Sequence, residues 1–204
     1  MNAATFYDFT INYHIDNALS EQLFPIAKKF LADESRLTNT WDYKNTYTID
    51  KGLAAEPELE FFVEHILKVS NNYLQEKKLK VKDNLKLWVS LFASEMTAGD
   101  EHSAHDHPGA IFSGLIYLKT PPGSSKLEFF HPRNASPSWR TYITETSSIY
   151  DKEIFCVKDG FGIEVTPKPG LFLFWESWAK HRVPVNHSTS GRTTMVFNVG
   201  VDDV

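Results

Sequence analysis

Apolar residues recur at helical spacing in two early stretches of the chain and at strand spacing through most of its remainder. Leu19, Leu23, Ile26, Phe30 and Leu31 put one buried face on a helix from Asn17 to Ser35, with Pro25 predicting a late start or a kink. Pro57 suits a first helical turn, and Leu59, Phe62, Val63, Ile66, Leu67 and Tyr73 continue that second helix to about Lys77. From Leu85 onward the pattern changes to strands: Leu85–Met96, Ala110–Leu118, Lys126–Phe130, Phe161–Thr166, Leu171–Trp175 and Thr193–Val201. Pro121-Pro122-Gly123, Pro167-Lys168-Pro169-Gly170 and Ser190-Gly191 punctuate them as turns. The stretch from Asn134 to Lys158 lacks clean periodicity and is expected to form a loop or lid.

Helices first and many short strands afterwards predict a mainly β (α+β) chain. Its expected core is an antiparallel double-sheet barrel of the jelly-roll kind with helices packed outside. The expected organisation is one domain over residues 1–204, helical over about 1–80 and barrel over about 85–201. Fifteen Phe, eight Tyr and five Trp fit a sheet-rich body. A net charge of -5 without a basic block argues against nucleic acid as a partner. No apolar run is long enough to span a bilayer, and the first residues lack the plan of a signal peptide. Cys156, the single cysteine, excludes an internal disulfide, so a cytoplasmic location is expected.

The candidate chemistry lies in four residues of the second half. His105 and His107 are two apart, so on an extended strand both would point the same way and could close on one metal ion. His181, beyond the run Leu171–Trp175, would complete a facial triad with open positions for further ligands. Paired histidines also occur on solvated loops, and spacing alone leaves both readings open. Asp106, between the two, would face the opposite way on a strand, while His102 is expected at the pocket rim. His131 is expected in a surface turn, and His14, His65 and His187 in structural or exposed positions. Arg192 opens the last strand, where a guanidinium can hold a carboxylate through two parallel hydrogen bonds. Thr194 lies on the same face.

These residues stand in an ordered set. It runs from Gly99-Asp100 through "HDHPGAIFSGLIYL" (His105 to Leu118) and Pro132-Arg133 to "PKPGLFLFWESWAKHRV" (Pro167 to Val183), and ends in Arg192 and Phe197-Asn198. From Trp88 to Asn198, about half the chain, the sequence resembles the 2-oxoglutarate and Fe(II)-dependent oxygenases. The likeness is greatest to a bacterial and phage group related to the prolyl hydroxylase-like branch. The resemblance implies a double-stranded β-helix fold, His105 and His181 as outer metal ligands, and Arg192 paired with the far carboxylate of 2-oxoglutarate. Thr194 and Tyr117 would assist it, and Asn198 and Arg133 occupy recurring positions of the family. The middle ligand of the superfamily is commonly a carboxylate, and here that position is His107. Three neutral imidazoles would leave the charge of Fe(II) uncompensated until the co-substrate dianion binds. In related halogenases a small residue there makes room for halide, and His107 fills that room.

The expected activity is therefore hydroxylation of a small molecule or peptide, coupled to decarboxylation of 2-oxoglutarate with Fe(II) and O2. Trp139, Trp175 and Trp178 could wall the substrate, although core packing suits Trp175 better. Two other classes fit parts of the pattern. A three-histidine cupin-type dioxygenase would need no 2-oxoglutarate, but the glutamate expected after the pair is missing from Pro108 to Ser113 and Arg192 would have no task. A non-catalytic jelly-roll binding module would leave the histidines incidental.

Overall fold

The computed structural model describes residues 1–6, 9–48, 51–132, 150–158 and 162–203. Arg133, Trp139, the 134–149 part of the aperiodic stretch and the first residue of the strand expected at Phe161 lie outside them. The chain opens with strands β1 (Asn2–Phe6) and β2 (Phe9–Ile15), then helix α1 (Asn17–Ala32), the short β3 (Lys44–Asn45) and helix α2 (Glu60–Glu76). The strands β4 (Leu85–Met96), β5 (His102–His105), β6 (Phe112–Lys119), β7 (Leu127–Phe130) and β8 (Phe155–Lys158) come next. The last four are β9 (Gly162–Val165), β10 (Leu171–Glu176), β11 (His181–Val183) and β12 (Arg192–Asp203).

The strands form two antiparallel sheets, a larger one in the order β1-β2-β10-β6-β12-β4-β3 and a smaller one in the order β5-β11-β7-β9-β8. This is the expected double-sheet architecture, and it is built on strict alternation. On β12, Thr193, Met195, Phe197 and Val199 are fully buried. Met195, Phe197 and Val199 join Leu23, Ala27, Phe62 and Ile66 of the helices in one apolar cluster. Leu115 and Tyr117 of β6, Leu171, Leu173 and Trp175 of β10 and Phe129 of β7 form a second cluster between the sheets. The helices thus cover the outer face of the larger sheet, and its inner face is left for the site.

The helix boundaries are set by local chemistry. The Asp16 carboxylate accepts from the Leu19 amide at 2.9 Å, which caps α1 at its start. Pro25 therefore does not delay the helix; the buried face of Leu19, Leu23, Ala27, Phe30 and Leu31 outweighs the missing amide hydrogen. Before α2, Pro57–Leu59 is a 3-10 turn, so the α-helix proper begins three residues later than the proline implies.

The expectation of a helical segment over residues 1–80 needs correction at its beginning. Asn2–Phe6 and Phe9–Ile15 are strands, and β2 pairs with β10 from Ile11↔Trp175 to Ile15↔Leu171. The reason is visible in β2, where Ile11 and Tyr13 alternate inward beneath the sheet edge and bury almost completely.

His14 of β2 and His65 of α2 meet where the helix covers the sheet, with rings 6.0 Å apart and both against Phe172. Burial, followed by the charge of the other ring, holds His14 below the ordinary histidine range, and burial does the same to His65. The unfolded chain then binds more protons than the folded one just below the ordinary value of about 6.5, so stability falls as pH drops through that window. Chemical denaturation between neutral pH and about pH 5 should show this loss. A His14→Phe/His65→Phe double variant should make the loss smaller without abolishing it, because other histidines of the chain are buried with lowered pKa as well.

Candidate metal centre

His105 ends β5 and His181 begins β11, and the two are directly paired across the smaller sheet, so their side chains share a face. His107 arrives differently from the way its spacing suggests. Strand β5 ends at His105, and His107 is carried by the turn after it. Its amide donates to the Ser177 carbonyl at 3.2 Å, and its carbonyl accepts from Ala110 at 3.2 Å. Gly109 closes this turn at a φ of 90°, a conformation open to glycine. Strand alternation therefore does not exclude Asp106, which is exposed at the cavity edge. It is the geometry that leaves it out of the converging set.

The ligand nitrogens of His105, His107 and His181 lie within 4.8 Å of one another. His107 Nε2 and His181 Nε2 are 3.3 Å apart. Two nitrogens bound to one metal at right angles, with bonds of about 2.1 Å, stand about 3 Å apart. The tautomers suit the task. The carbonyls of Ser103 and Ala179 lie 2.8 Å from Nδ1 of His105 and His181 and can only accept, so each Nδ1 carries the hydrogen and each Nε2 presents its lone pair. Burial holds all three rings below the ordinary range, with His107 lowered to about 4 and His181, buried beside His105 and His107, held well below it. Neutral imidazoles at neutral pH are the form that binds metal. His102 stacks on His105 at 4.0 Å and is hydrogen-bonded through Nδ1 to the Tyr43 hydroxyl at 2.8 Å. It lines the cavity beside His105.

The histidines face a cavity of about 590 Å³ whose floor is the inner face of β4 and β12. Arg192, Thr194, Val196 and Asn198 of β12 lie opposite Met96, Ser94, Phe92 and Ser90 of β4. Arg192 is 2% exposed, yet its Nε and one terminal nitrogen have no hydrogen-bond partner among the described residues. The other terminal nitrogen reaches only the Met96 sulfur at 3.4 Å, and the guanidinium lies 4.9 Å over the Tyr117 ring. The Tyr117 hydroxyl is buried beside Arg192 with no hydrogen bond of good geometry among the described residues, and burial raises its pKa against the opposing charge and proximity of that guanidinium. Among the described residues no carboxylate pairs with Arg192. A buried, unpaired guanidinium carries a large desolvation cost, so this end of the cavity fits a small anion able to take several hydrogen bonds. Thr194 shares a 2.8 Å hydrogen bond with Ser94 on the next rung.

Asn198 accepts from Ser113 at 2.8 Å, Ser113 meets Ser177 at 2.8 Å, and the Ser177 carbonyl holds the His107 amide. Asn198 is thus tied to the turn that carries His107. Trp178 does not line the cavity; it is 48% exposed and donates to Glu176 at 2.7 Å. Trp175 is both buried and part of the lining. His131 is buried rather than in a surface turn, while His187 is exposed. Sequence reasoning misses the aromatic wall of Trp41, Tyr43, Tyr47, Trp88 and Phe92. For Trp88 and Phe92 a signal exists, since with Ser90, Ser94 and Met96 they form the alternate positions of a strand whose bounds the pattern predicts.

Residues 87–198, more than half of the chain, match the sequence model of a family described as "Putative 2OG-Fe(II) oxygenase". No curated protein matches the sequence. Among solved structures, a prolyl-4-hydroxylase from Pseudomonas putida is similar with a TM-score of 0.61 at 12% identity, over 95% of this chain and 92% of that one. AviO1 from Streptomyces viridochromogenes is similar with a TM-score of 0.57 at 13% identity, over 94% and 89%. The epimerase SnoN, in complex with Fe3+, alpha ketoglutarate and nogalamycin RO, has a TM-score of 0.57 at 10% identity, over 95% and 80%. At these identities the likeness is one of fold.

Proposed function

The chain belongs to the 2OG-Fe(II) oxygenase family, and from that premise we propose that His105, His107 and His181 hold its Fe(II) and that Arg192 receives its 2-oxoglutarate. The protein is an oxidoreductase that uses Fe(II), 2-oxoglutarate and O2. The observation that carries the assignment is the pairing of three convergent neutral imidazoles with a buried guanidinium that has no anion of its own among the described residues. A three-histidine dioxygenase without 2-oxoglutarate would leave that guanidinium with no task.

When bound, iron and co-substrate supply the oxidation, with 2-oxoglutarate converted to succinate and CO2 and the substrate most simply hydroxylated. The residues position and exclude. His105 and His181 present Nε2 because backbone carbonyls fix their Nδ1 hydrogens. Arg192, with the Tyr117 hydroxyl and Thr194 beside it, binds the far carboxylate and so aims the other end of the co-substrate at the histidines. Asn198, oriented by Ser113, and His102, beside His105, line the same cavity and would face the substrate. The substrate is a small molecule or peptide entering over the aromatic wall. No described helix is long and apolar enough to cross a membrane, and we place the enzyme in the cytoplasm because its only cysteine forms no internal disulfide.

A melting experiment tests this assignment. Mn(II) with 2-oxoglutarate should raise the unfolding temperature well beyond either alone, because ligands that bind only the folded state stabilise it. No shift with both at saturating concentration would sink the assignment. The third imidazole adds a sharper expectation. His107→Asp places one negative charge against the metal, so Fe(II) affinity without co-substrate should rise by about tenfold and its dependence on 2-oxoglutarate should shrink. Metal titrations with and without 2-oxoglutarate read both changes.

A further inference from the structure

The floor of the histidine cavity does not end where the cavity does. The alternating face of β12 continues from Asn198 to Gly200 and Asp202, opposite Trp88 and Lys86 of β4. From Arg192 to Asp202 this face is about 34 Å long. An extended 2-oxoglutarate is about as long as two residues, roughly 7 Å, and it lies at the Arg192 end. The histidines stand over the middle, where Asn198, Ser113 and Ser177 connect the floor to the His107 turn. 2-Oxoglutarate therefore does not reach the stretch beyond Asn198, where Trp88 covers Gly200.

Beyond the middle lies a second cavity of about 790 Å³, lined by Thr38, Thr48, Lys51, Trp88 and Asp202 among others. It contains no histidine, but Trp88 and Thr48 line both cavities, so the two adjoin at this waist. Trp88 is seated there in a specific way. A Cβ on Gly200 would lie 2.2 Å from the indole Cζ2 and 2.4 Å from Cε2, so the ring lies directly on the glycine backbone. Half-buried, with the Nε1–Cε2–Cζ2 side of its indole against Gly200, it contributes to the walls of both cavities. Trp41, Tyr47 and Phe92 cluster with one another in the lining of the histidine cavity.

We propose that Trp88, seated on Gly200, is a stacking platform and that the substrate is an elongated molecule with a flat ring. The ring rests at the waist, the bond to be oxidised lies before the histidines, and a polar tail extends past Thr48 toward Lys51. This deepens the oxygenase reading and rests on it for which end reacts. The second cavity carries Lys51, Asp202 and the Thr48 hydroxyl, which suit a charged or hydrogen-bonding tail and disfavour a long aliphatic one, while the Thr38 and Thr46 hydroxyls are taken by Asn45 and the Ala93 amide. Stacking on an indole suits an aromatic ring.

Two probes separate the parts of this proposal: 2-naphthamide, a ring alone, and N-(2-naphthoyl)glycylglycine, the same ring with a polar anionic tail. Each is titrated calorimetrically into the full chain loaded anaerobically with Mn(II) and 2-oxoglutarate. The tailed probe should bind at least about fivefold more tightly than the ring alone. Trp88→Ala should weaken both by about tenfold, Trp88→Phe by less, and Gly200→Ala should weaken both by tilting the indole from its seat. Lys51→Glu should weaken only the tailed probe. Unchanged binding in both Trp88→Ala and Gly200→Ala, or no gain from the tail in wild type, overturns the proposal. The Mn(II)/2-oxoglutarate melting shift of wild type reports the histidine chamber separately. Its absence would fault the metal assignment, and the same titrations without metal would still decide the platform.

Discussion

Replacing His181 with alanine is expected to lower the affinity for Fe(II) or Mn(II) by at least about 100-fold, because loss of a ligand exceeds the 10- to 100-fold typical of its supporting hydrogen bonds. His181 is 4% exposed, paired in register with His105 and fixed by the Ala179 carbonyl, so its ligand nitrogen is held in one position. Only His105 and His107 would remain of the converging set. The apo fold should survive. The lost ring faces His107 nitrogen to nitrogen at 3.3 Å, a contact that contributes little without a shared ion, and the small void left behind costs about 1–2 kcal/mol. Calorimetric metal titration together with the apo melting curve distinguishes a lost ligand from a lost fold. Undiminished metal binding by the variant would remove His181 from the site.

The second large effect is expected at Arg192, where function and stability should move in opposite directions. Arg192→Met removes the partner of the far carboxylate, and losing a buried charged hydrogen-bonding partner costs about 3 kcal/mol, or about 100-fold in 2-oxoglutarate affinity. The same substitution removes a buried cation that has no anion among the described residues, while methionine fills similar space along Met96 and Tyr117. Apo Arg192→Met should therefore melt higher than wild type, as replacement of buried charge by apolar volume often does. A variant that is more stable and has lost its co-substrate response would show that the arginine is kept for binding. A variant that melts lower and still binds 2-oxoglutarate would show that it is structural.

Much of this site comes from patterns of period two. The alternation through Leu85–Met96 and Thr193–Val201 locates both strands, and the same alternation places Thr194 on the face of Arg192 from the sequence alone, while Asn198 is marked there only by the family resemblance. The order of motifs from His105 to Asn198 identifies the family. Other parts are not legible there, each for a physical reason. Strands β5 and β11, which carry His105 and His181, are four and three residues long, too short for any period to register. The approach of His107 depends on a glycine turn and on a carbonyl at Ser177, distant in sequence. Residues 2–15 do alternate around Ile11 and Tyr13, but that short signal lies beside a well-patterned helix and is masked by it. Trp41, Tyr43 and Tyr47 reach the cavity from irregular chain around β3, where position depends on tertiary packing and not on local spacing.

The central claim is that three imidazoles and one buried arginine together hold Fe(II) and 2-oxoglutarate. It is tested most directly by the visible charge-transfer absorption that a 2-oxo acid gains when it chelates Fe(II). Under anaerobic conditions, 2-oxoglutarate added to Fe(II)-loaded wild type should produce that band. It should be absent from His181→Ala, and in Arg192→Met it should require about 100-fold more co-substrate. No band in wild type at saturating iron and co-substrate, or the same band at the same concentrations in both variants, would contradict the account.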